Sequence, residues 1–256
     1  CGVTGLRPTF GRVSKYGAMA LSWSMDKIGP IARSAEDAAI VFEAIYGPDG
    51  RDGSVIDAPF NYDYRNDPQK LRIGYLADAF SKSRFRKQDS LSLEVLKKLG
   101  YELIPIQLPQ LPTIRFILNA DAAAAFDELN RSDKDDLLVR QDKRAWPNTF
   151  RSGRFIPAVE YIQANRLRTA LIEDMDQLFE SIDLYVHPSW GNSSLTITNL
   201  SGHPCVVVPN GFQSNGLPSS ITFTGKLFGE ADLLRFAESF QSATDFHLQH
   251  PKWIKD

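Results

Sequence analysis

Residues 71–106 constrain the fold of this chain more than any other segment does. Residues 71–76 alternate in polarity as a strand does, and residues 101–106 alternate in the same way. Between them, residues 90–99 carry leucines and a valine at helical spacing, and Gly100 follows where a helix ends. A strand, a helix and a second strand in this order predict two parallel strands joined by a right-handed crossover, and therefore an α/β protein.

The rest of the chain supplies further strands and helices. Ser34 and Asp37 have the spacing of a capping box and predict a helix that ends at Gly47. Helices are also predicted over residues 158–181 and 230–243, and strands over residues 184–186, 205–208 and 219–224. We interpret residues 1–33 as an extended loop, residues 48–69 as a linker or long surface loop, and residues 114–146 as an exposed helix with its connection.

The charge balance and the cysteine content exclude several classes of protein. Lys and Arg number 29 against 31 Asp and Glu, and this near balance favours neither nucleic acid nor an anionic membrane as partner. The best apolar run, residues 38–42, is far shorter than the roughly 18 residues that span a bilayer. Two cysteines, Cys1 and Cys205, favour a reducing compartment, so we expect a soluble cytoplasmic protein.

Few residues have the spacing of a reactive centre. His247 and His250 are three positions apart, but no third ligand completes a motif, and we expect no metal site. His187 follows a predicted strand, where a functional group or a structural histidine could stand, and the structural role is favoured. Cys205 begins a run of valines, which favours a small buried side chain over a nucleophile.

Ser24 and Lys27 fit the Ser-x-x-Lys spacing of the serine β-lactamases. In that arrangement a lysine on the next helical turn assists a nucleophilic serine. Gly29 and Pro30 follow closely and disfavour a helix here, so the two side chains need not share a face. The common nucleotide-binding and hydrolase motifs are absent from the sequence.

Three groups of residues resemble amidase signature enzymes. The resemblance covers the whole chain, and it is strongest at residues 1–47 and 199–251. The residues that carry it are Cys1-Gly2-Val3-x-Gly5-Leu6-Arg7-Pro8-Thr9-x-Gly11-Arg12-Val13-Ser14 with Ser24-x-Asp26-x-x-Gly29-Pro30-x-Ala32-Arg33-Ser34-x-x-Asp37, then Asn199-Leu200-Ser201-Gly202-His203-Pro204 with Val207-Val208-Pro209-Asn210-Gly211-Phe212, and Gly225-Lys226-x-Phe228-Gly229-Glu230-x-x-Leu233-Leu234 with Ala243-Thr244-Asp245-x-His247.

The resemblance implies a fold and a reaction. The family fold is one α/β domain whose large mixed sheet is flanked by helices, and the reaction is amide hydrolysis or ammonia transfer through an acyl-enzyme. A lysine serves as base, one serine relays the proton and a second serine attacks the carbonyl. These three residues precede the motif at Cys1, so no catalytic residue can be assigned in this chain. We therefore expect residues 1–256 to be the C-terminal portion of one such domain, cut at Cys1.

The same resemblance suggests where substrate binds. Many members place a polar loop against substrate after the strand that corresponds to residues 184–186, and this chain has Asn192, Ser193 and Ser194 there. These three are candidate substrate-binding residues, with an ordinary turn as the alternative. We expect an amidase that acts on a small-molecule amide without cofactor or metal; the alternative is a non-catalytic scaffold. In this isolated piece of the domain, residues 1–33 are expected to lack packing partners and to be cleaved by proteases before the rest.

Overall fold

The computed structural model describes residues 2–63 and 68–251, and Cys1 lies outside them. Within those residues, seven strands form one mixed sheet in the order β2-β1-β6-β7-β5-β3-β4. The strands are β1 (Thr4–Arg7), β2 (Ile31–Ala32), β3 (Ile73–Tyr75), β4 (Leu103–Pro105), β5 (Leu184–Pro188), β6 (Cys205–Phe212) and β7 (Pro218–Gly225). β3 pairs in parallel with both β4 and β5, whereas β7 is antiparallel to β5 and β6. The predicted α/β class and the parallel strand pair are confirmed.

Helices cover both faces of the sheet. They are α1 (Ala35–Ile45), α2 (Ala77–Ser81), α3 (Arg86–Lys98), α4 (Phe116–Ala125), α5 (Asp127–Arg131), α6 (Trp146–Gly153), α7 (Ala158–Ser181), α8 (Ser194–Ser201) and α9 (Glu230–Ser242). Short 3₁₀ helices occupy Pro68–Lys70, Lys134–Leu137 and Phe246–Leu248.

Alternate side chains of β5 enter two separate hydrophobic cores. Leu184 and Val186 pack with side chains of α1, α3 and α9, while Tyr185 packs with side chains of α4, α7 and α8. Successive side chains of a strand point to opposite faces, so the two cores lie on opposite sides of the sheet. The sheet is therefore a layer between two helical layers, which is an arrangement typical of α/β proteins.

The locally encoded elements match their predictions. Ser34 accepts a hydrogen bond from the backbone of Asp37 at 3.0 Å, and the Asp37 carboxylate accepts one from the backbone of Ser34 at 3.1 Å, which completes the capping box. Gly47 follows α1 with a φ of +96°, a conformation that glycine adopts without strain. Helix α7 has the predicted bounds, and the strands predicted near residues 185, 206 and 222 are present.

Three predictions are corrected. Residues 1–33 are not simply a loop, because β1 lies inside the sheet between β2 and β6. Helix α3 begins at Arg86, four residues before the predicted start at residue 90. The segment 114–146 is not an exposed face throughout, since Ile114 and Ile117 are buried in the core beside α7 and Ala122 is also buried. Residues 48–63 contain no helix and no paired strand, as expected for a long loop.

A buried arginine joins the first loop to the last helix. Arg12 is fully buried, and its guanidinium lies 5.0–5.7 Å from the ring centroids of Phe42, Tyr46 and Phe228. Its Nε is 3.6 Å from the carboxylate of Glu230, which is also fully buried. The backbone carbonyls of Ala58 and Pro59, in the long loop after α1, accept hydrogen bonds from the same guanidinium. This charge pair fixes residues 9–12 against the amino-terminal end of α9.

The helices differ from membrane spans in length or in polarity. Over residues 2–63 and 68–251, none of them combines the length and the apolar character needed to cross a bilayer.

Candidate functional site

A cavity opens where the three parallel strands end. The last residues of β3, β4 and β5 are Tyr75, Pro105 and Pro188, and the segments that follow them enclose about 680 Å³. The lining consists of residues 76–79, 82, 105–108 and 191–193. Crevices at the carboxyl ends of parallel strands are the usual ligand sites of α/β proteins. We call this space the strand-end cavity.

The lining of the strand-end cavity is partly apolar and balanced in charge. Leu76, Ile106 and Leu108 contribute apolar surface, and the charged lining residues are Asp78 and Lys82, one of each sign. A cavity without net charge favours neither an anionic nor a cationic ligand. It suits an uncharged polar molecule that presents an apolar part and a hydrogen-bonding part.

Asn192 and Ser193 reach the strand-end cavity, whereas Ser194 does not. The side-chain amide of Asn192 donates to the carbonyl oxygen of Pro188 at 2.7 Å, and its Oδ1 accepts from the backbone N–H of Ser194 at 2.9 Å. These bonds hold the loop before α8. Ser193 is on the cavity wall, while Ser194 is buried beneath the loop.

Ser194 belongs to a buried chain of hydrogen bonds. Its Oγ lies 3.0 Å from Nε2 of His187 and 2.8 Å from the hydroxyl oxygen of Tyr185. Nδ1 of His187 is 2.8 Å from the carbonyl oxygen of Pro188, which can only accept. Nδ1 therefore carries the proton and Nε2 accepts from a hydroxyl. Hydrogen bonds thus connect Tyr185, Ser194, His187 and the carbonyl of Pro188, and the hydroxyl of Thr224 lies 3.1 Å from the same Nε2.

This Ser–His pair is unsuited to nucleophilic catalysis. Ser194 is only 1% exposed and His187 only 4% exposed, so a substrate cannot reach the hydroxyl without a rearrangement of the loop. Burial lowers the pKa of His187 to about 4, which makes the ring a weak base at neutral pH. In a Ser–His–Asp triad a carboxylate orients the histidine, whereas His187 donates to a backbone carbonyl. His187 therefore has the structural role that its place in the sequence favours.

A row of hydroxyl groups continues along the same face of the sheet. Thr222 pairs in register with His187, and its hydroxyl is 2.8 Å from that of Ser189, which accepts from Ser220 at 3.0 Å. Beside this row, an apolar groove of about 220 Å³ follows β1 and β6 and includes Ile31 and Val207 in its wall.

Ser24 and Lys27 do not act as a pair. The hydroxyl of Ser24 donates to the carboxylate of Asp121 at 2.7 Å, while the ammonium of Lys27 donates to the carbonyl oxygens of Thr198 at 3.2 Å and His203 at 2.8 Å. Burial, and next the charge of a neighbouring arginine, lowers the pKa of Lys27 to about 7. The two side chains face different elements, as their position before Gly29 suggests.

The remaining candidates show no assembled centre. Cys205 is a free, buried cysteine in β6. The ring of His250 lies 3.1 Å from the guanidinium of Arg33, and His247 stands in a 3₁₀ helix. In the part of the chain that the structure describes, no three His, Cys, Asp or Glu side chains are grouped so as to hold a metal ion.

Comparison with curated proteins identifies longer relatives. A glutamyl-tRNA(Gln) amidotransferase subunit of Roseiflexus castenholzii is 30% identical over 303 aligned positions, which include all of this chain and 62% of the relative. The corresponding amidotransferase subunit of Chloroflexus aurantiacus is 32% identical, over 99% of this chain and 62% of its own length. This chain thus spans about three fifths of the length of these relatives.

Solved structures show the same fold. An amidase family protein from Bacillus anthracis superposes with a TM-score of 0.82 at 21% identity, over 99% of this chain and 55% of that one. Native peptide amidase from Stenotrophomonas maltophilia gives a TM-score of 0.79 at 24% identity, over 100% of this chain and 60% of that one. The family model described as Amidase matches residues 1–197. By sequence and by fold, the chain belongs to the amidase family.

Proposed function

We propose that this chain forms the scaffold and part of the substrate pocket of an amide C–N hydrolase, and that it is the C-terminal portion of a single domain. Membership of the amidase family supports the reaction class. The share of the curated relatives that it spans, 62%, supports a larger functional unit. In this proposal the nucleophile and the base are contributed by a segment that the present sequence does not include.

The strand-end cavity is the observation that carries the proposal. Asp78 and Lys82 line it with one charge of each sign, and Leu76, Ile106 and Leu108 add apolar surface. This lining matches a neutral amide with an organic substituent. Asn192 holds the loop through its amide, and Ser193 offers a hydroxyl at the wall. Their proposed role is to position the substrate and to exclude water, and they do not act on the reacting bond.

The buried histidines support a separate source for the catalytic groups. Besides Ser194 and His187, Ser201 and His203 form a Ser–His hydrogen bond of 2.8 Å, and both residues are buried. Burial lowers the pKa of His203 to about 3, with a smaller effect from the neighbouring Lys27. Amide hydrolysis needs an activated nucleophile and a base that substrate can reach. Neither Ser–His pair in the described residues meets that requirement.

Ammonia release from benzamide and acetamide tests the first half of the proposal. The purified 256-residue chain is expected to release no more ammonia than buffer does. Turnover by this chain that Ser24→Ala abolishes would assign catalysis to Ser24 and Lys27 and overturn the proposal. The matched control is Ser214→Ala, since Ser214 is exposed in the turn between β6 and β7.

The longer protein tests the second half. The gene should be read in frame beyond both ends of this sequence and expressed with any additional codons. We expect amide hydrolysis, and we expect Ser193→Trp to raise KM severalfold with little change in kcat because it fills the strand-end cavity. Ser214→Trp serves as control and should leave KM unchanged. A longer protein without amidase activity would instead favour a non-catalytic scaffold.

A further inference from the structure

Asparagine followed by glycine occurs twice in the chain, in two opposite environments. Asn210 and Gly211 lie within β6, and Asn210 is fully buried. Asn215 and Gly216 lie in the turn between β6 and β7, and Asn215 is exposed. Asparagine loses its side-chain amide most readily before glycine, because glycine has no Cβ to shield its backbone nitrogen. Since both sites have the same dipeptide, the fold decides which of them reacts.

Loss of the amide at Asn215 is an internal substitution followed by hydrolysis. The backbone nitrogen of Gly216 attacks Cγ of Asn215, so that the N–Cγ bond forms and the Cγ–Nδ2 bond breaks. The Nδ2 amide leaves as ammonia and takes the proton of the backbone nitrogen. One water molecule then opens the five-membered succinimide at either carbonyl, which gives aspartate or isoaspartate.

The turn activates the carbonyl that is attacked. Oδ1 of Asn215 accepts a hydrogen bond from the backbone N–H of Leu217 at 3.1 Å. A donor at this oxygen polarises Cγ and stabilises the negative charge that develops on the oxygen during attack, as the donors of an oxyanion hole do. The geometry of the turn therefore favours the first and slower step of the reaction.

The attacking nitrogen is restrained by one hydrogen bond at the tip of the hairpin. The backbone N–H of Gly216 donates to the carbonyl oxygen of Gln213 at 2.9 Å, which closes a four-residue turn. This bond must open before the nitrogen can reach Cγ. Exposed loop tips open at a small cost in free energy, and Gly216, with a φ of +79°, changes conformation without a side chain to clash.

Asn210 is protected in each of these respects. Its Nδ2 donates to the carboxylate of Asp89 at 2.9 Å and lies 3.2 Å from the hydroxyl of Ser92. Its Oδ1 has no hydrogen-bond partner among the residues that the structure describes, so no donor polarises the carbonyl. β6 is paired on both sides, with β1 and with β7. The nitrogen of Gly211 can therefore attack only after the strand has left the sheet.

We propose that Asn215 is a site of spontaneous deamidation and that its main product is an isoaspartyl turn. The isoaspartyl form has one more carbon in its backbone and carries a negative charge. It disrupts the hydrogen bond of 2.8 Å from the backbone N–H of Gln213 to the carbonyl oxygen of Leu217. The end of the β6–β7 hairpin then opens beside Pro218, which lines the apolar groove. This site uses none of the residues proposed for amide hydrolysis.

Mass spectrometry after incubation at pH 8 and 37 °C tests the site. Chymotrypsin cleaves after Phe212 and so separates Asn210 and Asn215 into different peptides. Isoaspartate is detected by methylation with an isoaspartyl methyltransferase. We expect deamidated product to accumulate at least tenfold faster at Asn215 than at Asn210. Equal rates, a faster rate at Asn210, or no product at Asn215 would overturn the proposal.

Concentrated urea shows whether the fold is the cause of the difference. In the unfolded chain both asparagines should react at similar rates, and a tenfold difference that persists there would refute the structural argument. Asn215→Gln should abolish the product in its peptide, because glutamine cannot form the five-membered ring. Ser214→Ala, at an exposed position of the same turn, is the matched control and should leave the rate unchanged. Product that persists in Asn215→Gln would place the reaction elsewhere.

Discussion

Removal of one partner from the buried Arg12–Glu230 pair should destabilise the fold strongly. Glu230→Gln keeps the size of the side chain and an oxygen that can accept from the backbone N–H of Thr9, which now lies 2.7 Å from Oε1. It removes the negative charge that faces Arg12, and both residues are fully buried. An unpaired buried charge costs about 3–5 kcal/mol. The aromatic rings around Arg12 contact the guanidinium in both proteins. Their contribution is therefore the same before and after the substitution and does not replace the lost carboxylate.

A double-mutant cycle in urea measures the effect. Arg12→Met should cost about as much as Glu230→Gln, whereas the double variant should cost clearly less than the sum, because no buried charge is left unpaired. The free energy of unfolding is read from tryptophan fluorescence. Asp142→Asn is the control, since its pair with Arg140 is exposed and should contribute nothing measurable. A Glu230→Gln cost below about 1 kcal/mol, or single-variant costs that simply add, would refute the argument.

Packing, burial and strand order each lead to one further test. Gly153→Ala should destabilise the protein by about 1–3 kcal/mol in urea, because its Cβ would force α4 and α6 apart, while Gly53→Ala meets nothing within 4 Å and should be neutral. His187 has a folded pKa of about 4, below the ordinary 6.5, so the unfolded chain binds more protons between these values and stability should fall as the pH drops from 6.5 to 4. His187→Gln should reduce that dependence without abolishing it, because burial also lowers the pKa of His203, and an unchanged slope would contradict the burial of a neutral ring at position 187. Thermolysin should cleave the Leu138–Val139 bond, where Val139 is fully exposed, sooner than the Gly5–Leu6 bond in β1; the reverse order would mean that β1 is not held in the sheet.

The elements that could be predicted are those whose signal is local. The capping box at Ser34 and the helical spacing in α7 depend only on residues that are close together in the sequence. Both are present as predicted. β1 carries no such signal because it has four residues and gains its order from β6. Arg12 is recognisable only as part of a family motif, since a charged side chain gives no sequence sign that it will be buried.

The sequence could indicate a loop that lines the strand-end cavity, but not the orientation of the side chains in that loop. The family resemblance located Asn192, Ser193 and Ser194 in one loop, and two of them line the strand-end cavity. Whether a serine at a helix start faces solvent or the interior depends on the strand beneath it. Here Tyr185 and His187 offer hydrogen-bond partners to Ser194 from below. The hydrogen bonds of Asp121 could not be predicted for a similar reason, because Ser22 and Ser24 come from a segment about 100 positions earlier.

The position of β1 also determines how late in synthesis this strand can pair with β6. Leu6 pairs with Val206, so about 200 residues must be synthesised before the first strand meets its inner neighbour. At about 5–20 residues per second, that wait is roughly 10–40 s on the ribosome. The strand–helix–strand unit of β3, α3 and β4 can form meanwhile from residues already made. The edge of β1 that faces β6 thus stays unpaired while the residues between Arg7 and Cys205 are made, although its other edge can pair earlier with β2.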